Sequence, residues 1–303
     1  MAERTMQGRV VLITGAARGI GAATARELVR RGAQVALVGL EAERLQALAG
    51  ELAPHASWHH ADVTQQAALE AAVAAAVARF GRLDVAVTNA GIAGMGALVH
   101  ADIEAHCRVL EVNLAGTFRT AKAVLPHLMA SRGYLLLVSS AAAFSAMPGM
   151  SGYAASKAGV EQLANVLRLE LAPHGVGVGS AHMTWIDTDM VRDVHDDLDA
   201  FRRTLPRLPG PFGTITSLEA CAAAFADACA RRPRRLFVPK ALGVASTWRM
   251  LLNSAPMLAL LRRQMAPMVL DAEAETRALG RAFGRRSMGM GEGPRDAGPP
   301  SVS

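Results

Sequence analysis

The sequence predicts an α/β protein: a doubly wound parallel sheet of about seven strands with helices on both faces, followed by a C-terminal helical extension. Three observations carry this expectation. Short apolar, β-branched runs alternate with alanine-rich helical stretches to about residue 240. A glycine-rich turn joins the first apolar run to the first helical stretch. Polar residues then recur just past the ends of the apolar runs, where open parallel sheets hold their ligands.

Residues 10–14, Val-Val-Leu-Ile-Thr, are apolar and β-branched without alternation, the composition of a strand buried on both faces. Comparable runs at 34–38, 57–60, 83–88, 134–139, 176–181 and 235–238 bring the strands to seven. Helical stretches at 22–31, 41–52, 65–80, 103–130, 153–172 and 217–231 fall between them. Repeated strand–helix–strand units dictate parallel neighbours and helices on both faces. Residues 1–244 are thus expected to form one domain. Within it, 188–216 is rich in Pro, Arg and Asp and reads as a substrate lid. Residues 245–286 are a Met- and Leu-rich helical extension punctuated by Pro256, Pro267 and Arg262-Arg263, its apolar pieces each too short to cross a bilayer. Residues 287–303, rich in Gly and Pro, are expected to be disordered.

Composition narrows the function. The chain is 51% hydrophobic and 19% charged, enough apolar material for one substantial core. Its net charge is +6, yet aromatics are only 4% and no run of five basic residues occurs, so no nucleic-acid partner is expected. The cluster Arg231-Arg-Pro-Arg-Arg235 reads as a solvated helix end. Cys107, Cys221 and Cys229 make no disulfide framework. No Cys/His grouping has zinc spacing, so no metal is expected. The first residues lack the basic start and apolar run of a secretory signal, and a cytoplasmic setting is expected.

Two features carry chemistry. Tyr153, one of two tyrosines, stands four residues before Lys157, one of three lysines. On a helix that spacing puts both side chains on one face, where an ammonium favours an ionised phenol. A phenol so lowered is a usable acid or base. The second feature is Gly15-Ala-Ala-Arg18-Gly19-Ile20-Gly21, set between a strand and a helix. Glycines there permit a tight turn and close backbone approach to a pyrophosphate, which the helix N-terminus attracts.

With these residues the chain resembles the short-chain dehydrogenase/reductase family. The resemblance rests on Thr14-Gly-Ala-Ala-Arg-Gly-Ile-Gly21, Asp62-Val63, Asn89-Ala90-Gly91, Asn113, Ser140, Tyr153 and Lys157, in the family's order, with Ser140 thirteen residues before Tyr153. It covers about residues 7–240 and implies a Rossmann-type fold and hydride transfer between a nicotinamide cofactor and a carbonyl or alcohol carbon. In that scheme Tyr153 exchanges the proton, Ser140 hydrogen-bonds the substrate oxygen, Lys157 lowers the Tyr153 pKa and binds the nicotinamide ribose, and Asn113 holds a water in the relay. Asp62 and the Val63 amide would meet the adenine, with a helix N-cap as the competing role for Asp62. Asn89, Ala90 and Gly91 would pack beside the cofactor; Thr88 stands where the family commonly has Asn. A homo-oligomer, dimer or tetramer, is also expected.

Cofactor choice turns on the end of the second strand, Val38-Gly39-Leu40-Glu41, which has neither the family's Asp at 39 nor an Arg at 40. Arg18 would suit a 2′-phosphate and Glu41 would repel one. On balance NAD is expected over NADP. The family's Pro-Gly after the sixth strand is replaced by Met183-Thr184, while Thr188 is retained as the expected nicotinamide contact. Trp185, Met190 and Phe212 are candidates for an apolar pocket wall, with ordinary core packing as the competing role; the Met/Leu-rich extension and the few polar pocket candidates point to a bulky apolar substrate, lipid-, steroid- or terpenoid-like. For the extension three roles stand open: peripheral membrane contact, a cover over the substrate, or an oligomer contact. Two other classes compete with catalysis by hydride transfer. One is a catalytically silent cofactor sensor or scaffold; the other is a serine hydrolase, which lacks a Gly-x-Ser-x-Gly elbow at Ser139 or Ser140.

Overall fold

A computed structural model describes residues 5–94, 96–252 and 254–279. Along the chain run β1 (Val10–Thr14), α1 (Gly19–Arg30), β2 (Gln34–Gly39), α2 (Ala42–Glu51), β3 (Ala56–His60), α3 (Gln66–Phe80), β4 (Val85–Thr88), α4 (Ile103–Leu110), α5 (Gly116–Ser131), β5 (Tyr134–Val138) and α6 (Ser151–Glu170). Then follow β6 (Gly177–Met183), β7 (Trp185–Ile186), α7 (Asp189–Asp197), α8 (Asp199–Thr204), β8 (Ile215–Thr216), α9 (Leu218–Arg231), β9 (Arg235–Val238), α10 (Leu242–Thr247), α11 (Arg249–Leu252) and α12 (Ala255–Leu279).

Seven strands form one sheet in the order β3-β2-β1-β4-β5-β6-β9, every pair parallel. The order reverses direction at β1–β4, so a crevice opens beyond their carboxyl ends. Side chains of each strand point alternately to the two faces. Val11, Ile13, Val35 and Leu37 accordingly join one core with α1 and α9, while Val10, Leu12, Ala36 and Leu135 join a second with α3, α5 and α6. All five residues of β1 are buried, which is why its sequence shows no alternation. β4 begins two residues later than its apolar run because Asp84, wholly buried, turns its carboxylate to the Val10 amide at 3.0 Å.

Several boundaries differ from expectation for local reasons. The helical run expected at 103–130 is divided into α4 and α5 by one π turn, Glu111–Ala115. Helix α9 starts at Leu218 because the Ser217 hydroxyl caps it, accepting from Ala220 N at 3.2 Å. The segment 188–216 folds into α7, α8, two 3-10 turns and β8, which pairs in parallel with β7 just before the segment. Pro267 does not break α12, which runs through it. Helix α12 lies against α8 and the loop after β4: the Glu275 carboxylate accepts from Ala200 N at 3.0 Å, Arg203 pairs with Asp271 at 2.9 Å, and Arg277 meets His100 at 2.9 Å. Among the described residues no helix is long and apolar enough to cross a membrane. The expected disordered tail, 287–303, and the last residues of the expected extension, 280–286, lie outside the described residues.

Candidate active site

The glycine turn gathers at the carboxyl end of β1. Gly15 adopts φ +64° and lies so near the β4 end that a Cβ would stand 2.8 Å from Ala90 Cα. A Cβ on Gly21 would strike the Gly15 carbonyl. Asn89 locks the same corner, donating to the carbonyls of Thr14 at 3.0 Å and Gly15 at 3.1 Å, while Ala90 N donates to Thr14 Oγ1 at 3.1 Å. Asn89 therefore shapes the cradle through the turn's backbone. Arg18 precedes α1 with no side-chain cap, so the first helical N–H groups, of Gly19, Ile20 and Gly21, face the turn without an intrahelical acceptor. A bare backbone cradle with unshared amides at a helix N-terminus fits a dinucleotide pyrophosphate.

Around the cradle, Arg18 Nε lies 3.2 Å from Glu41 at the end of β2, and its Nη1 lies 3.8 Å from Asp189. Arg44 also reaches Glu41, at 3.7 Å. Asp62, beyond β3, accepts from Thr64 N at 2.9 Å in a tight turn, and Gln65, three residues on, occupies the position before α3. The N-cap role considered for Asp62 is thus not the one it takes. Burial works to raise the Asp62 pKa, but the Thr64 hydrogen bonds and Arg108, 3.7 Å away, outweigh it and hold the carboxyl below its ordinary value. The Val63 side chain packs on Gly116 of α5, where a Cβ would come within 2.7 Å.

Asn113 sits wholly buried in the π turn. Its Oδ1 accepts from Ile92 N at 2.8 Å, and its Nδ2 donates to Ile92 O at 2.9 Å and to Ser156 Oγ at 3.1 Å. Both amide hydrogens thus go to protein partners, and Thr117 Oγ1 donates to the Asn113 carbonyl at 2.7 Å. The side chain staples the loop after β4 to α6. A π turn inserted in a helix is a recurrent device at functional sites. Gly91 completes the packing: a Cβ there would lie 3.1 Å from Asn113 Oδ1 and 3.5 Å from Lys157 Nζ.

Ser140, Tyr153 and Lys157 meet where β5 ends and α6 begins. Ser139 turns away from the cavity, donating to Lys157 O at 2.8 Å, and strand alternation sends Ser140 the other way. Ser140 Oγ reaches Met183 O at 3.4 Å and stands near the Tyr153 phenol, whose pKa it works to lower. Lys157 Nζ stands 5.6 Å from the Tyr153 ring centroid and donates to Val138 O at 2.9 Å. The electrostatics depart from expectation. Burial pushes the Tyr153 phenol above its ordinary value, and Ser140 only partly offsets it. Burial also pulls Lys157 down, to about 8. Lysine does not produce a net lowering of the phenol here, because desolvation disfavours both charged forms at once.

Thr188, just after β7, comes over the cradle, its Cγ2 lying 3.6 Å from where a Gly19 Cβ would be. Between it and the Ser140–Tyr153 pair is a cavity of about 110 Å³ whose wall includes Ile20, Thr184, Trp185, Met190 and Phe212. Trp185 is fixed by a 2.9 Å bond from Nε1 to Phe212 O and an edge-on contact with Phe201 of α8, ring centroids 4.8 Å apart. Met147 and Met150 also line the cavity and were not expected from the sequence. Their signal was faint: both lie in the uncharged stretch before Tyr153, which has no periodicity.

The model of short chain dehydrogenases matches residues 9–199. A 3-alpha-(or 20-beta)-hydroxysteroid dehydrogenase of Mycobacterium tuberculosis is 38% identical over 205 residues, 67% of this chain and 78% of that protein. A (-)-trans-carveol dehydrogenase of Rhodococcus erythropolis is 39% identical over 207 residues, 62% of this chain and 74% of that protein. Among solved structures, a dehydrogenase/reductase from Sinorhizobium meliloti 1021 superposes with a TM-score of 0.70 at 30% identity, covering 77% of this chain and 94% of that one.

Proposed function

Since the chain belongs to the short-chain dehydrogenase family and is a nicotinamide-dependent oxidoreductase acting on alcohol and carbonyl carbons, we propose that its substrate is a bulky apolar ketone or secondary alcohol. The observation that carries this is the cavity wall. Beside the Ser140 and Tyr153 hydroxyls stand Met147, Met150, Met183, Met190, Trp185 and Phe212. Such a wall offers large apolar contact and two polar atoms for one substrate oxygen. The relatives named for a hydroxysteroid and for carveol act on molecules of that kind.

In this reading Tyr153 gives its phenolic proton to the substrate oxygen in reduction and takes it back in oxidation. Ser140 donates a hydrogen bond to the same oxygen and stabilises the charge building there. A nicotinamide, when bound, would supply or accept the hydride. Gly19, Ile20 and Gly21 amides would hold the pyrophosphate, Asp62 and Val63 the adenine end, Lys157 the nicotinamide ribose and Thr188 the carboxamide side. Asn113 keeps the loop after β4 in register with α6. The intact set Asn113, Ser140, Tyr153 and Lys157 disfavours a silent sensor.

NAD is the proposed cofactor. Arg18 already faces Glu41 and Asp189, and Arg44 faces Glu41, so a 2′-phosphate would have to displace carboxylates from guanidiniums they already neutralise. Glu41→Gln removes one of those carboxylates and is expected to raise kcat/KM with NADP about tenfold, the effect of ~1.4 kcal/mol. An unchanged NAD to NADP ratio would contradict the assignment. Exposed Leu110, Phe118, Val166 and Leu169 on α4, α5 and α6 support a homo-oligomer, which light scattering on the purified protein tests; a monomeric mass would refute it. A reducing, cytoplasmic setting accords with the free cysteines Cys107, Cys221 and Cys229, and recovery of the chain in a secreted fraction would contradict it.

The substrate assignment is tested by following absorbance at 340 nm with a panel of steroid and terpenoid alcohols and ketones against small sugars and hydroxy acids. Turnover confined to the hydrophilic members would overturn it.

A further inference from the structure

At the Ser140 carbonyl, outside the cavity lining, lies a histidine that takes no direct part in the reaction just described. His182 of β6 is wholly buried. Its Nδ1 lies 3.3 Å from the Ser140 carbonyl and its Nε2 lies 3.0 Å from Ser180 Oγ. Arg168 Nη2 donates to the same Ser180 oxygen at 2.9 Å. These contacts determine the tautomer. A carbonyl only accepts, so Nδ1 carries the proton; in a neutral ring Nε2 then accepts from the Ser180 hydroxyl. Burial pulls the His182 pKa below its ordinary value, which keeps the ring neutral. The result is one directional chain, Arg168 to Ser180 to His182 to the Ser140 carbonyl, with every hydrogen assigned.

The neighbourhood shows what this chain holds in place. The β5–β6 pairing closes with Ser139 N on Ala181 O at 2.8 Å. Beyond it the backbone bends into the 3-10 turn Ala141–Ala143, with Ser140 as the extended residue before it. The Ser140 carbonyl accepts from Ala143 N at 3.1 Å and from His182. The imidazole is itself clamped between rings, 5.7 Å from the centroid of Phe144 and 5.4 Å from that of Phe237. His182 also directly precedes Met183-Thr184, the pair that stands where Pro-Gly was expected.

We infer that His182 is a positioning residue for the reaction: its Nδ1–H fixes the Ser140 peptide and thereby aims the Ser140 hydroxyl at the substrate oxygen. The inference rests on the reading of Ser140 as the group that hydrogen-bonds that oxygen. Two jobs of the histidine are separable, since the ring packs and the nitrogen donates. His182→Asn keeps a donor near the Nδ1 position and loses the ring. His182→Phe keeps a ring and loses the donor. His182→Gln sets its amide near the Nε2 position and serves if the phenylalanine variant does not fold.

The experiment measures kcat, KM, Tm and the Kd for NADH, well below every Tm. His182→Phe and His182→Gln are expected to lose tenfold or more in kcat with NADH Kd unchanged. His182→Asn is expected to keep kcat within about threefold although its Tm falls. Wild-type kcat in the variants lacking the donor would overturn the inference, as would kcat tracking Tm across the set. Tyr153→Phe in the same assay separates the two levels. If it too retains turnover, the reading of the site fails; if it is inactive while His182→Phe is not, only the role of His182 falls.

Discussion

At Tyr153 burial and the neighbouring Ser140 pull in opposite directions, and burial wins, leaving the phenol protonated at neutral pH. That state suits proton donation, hence carbonyl reduction. Alcohol oxidation needs the phenolate, whose population grows as pH rises towards a raised pKa. kcat/KM for oxidation is therefore expected to climb from pH 7 to about 10 without a plateau, while reduction shows no such rise. An oxidation profile already level by pH 7 would contradict the assignment. The juxtaposition of Tyr153 and Lys157 was legible as a rare residue pair at helical spacing, while Ser140 was singled out by the family resemblance. The direction of the Tyr153 shift was not legible, since it depends on how much solvent the fold removes from both groups. His182 was invisible for a related reason: its partners Ser140 and Phe144 lie on another strand's end, and no local pattern marks them.

Elements were legible in proportion to how locally their residues were determined. β1 matches its expected bounds because burial on both faces leaves an uninterrupted apolar run. The division between α4 and α5 escaped notice because the π turn is stabilised by Asn113 bonding Ile92 and Ser156, the latter 43 residues away. Helix α12 shows the opposite error. Pro267 suggested a break, yet Glu275, Asp271 and Arg277 tie the helix to α8 and to the loop after β4. These contacts favour the extension as a cover over the substrate. From α12 the contacts pass through α8, whose Phe201 packs on Trp185, to the cavity wall. A chain ending after Ser254 retains Arg249, which pairs with buried Glu161 at 3.0 Å. It is expected to show a KM for the bulky substrate raised about tenfold, little change in NADH affinity, and the same flotation with liposomes as the full chain. Loss of liposome binding on truncation would instead support the membrane reading.

Over the whole molecule, the doubly wound order was readable because each strand–helix unit carries its own periodicity, and the candidate site lies where the strand ends meet. In the proposed reaction Tyr153 moves the proton while a nicotinamide, when bound, would carry the hydride. The direct measurement is Tyr153→Phe, assayed at 340 nm with the best alcohol of the panel alongside NADH binding by fluorescence. The account predicts turnover reduced by at least a thousandfold with the NADH Kd within about threefold of wild type, a loss of roughly 4 kcal/mol in the chemical step alone. Turnover near the wild-type rate in that variant would contradict it.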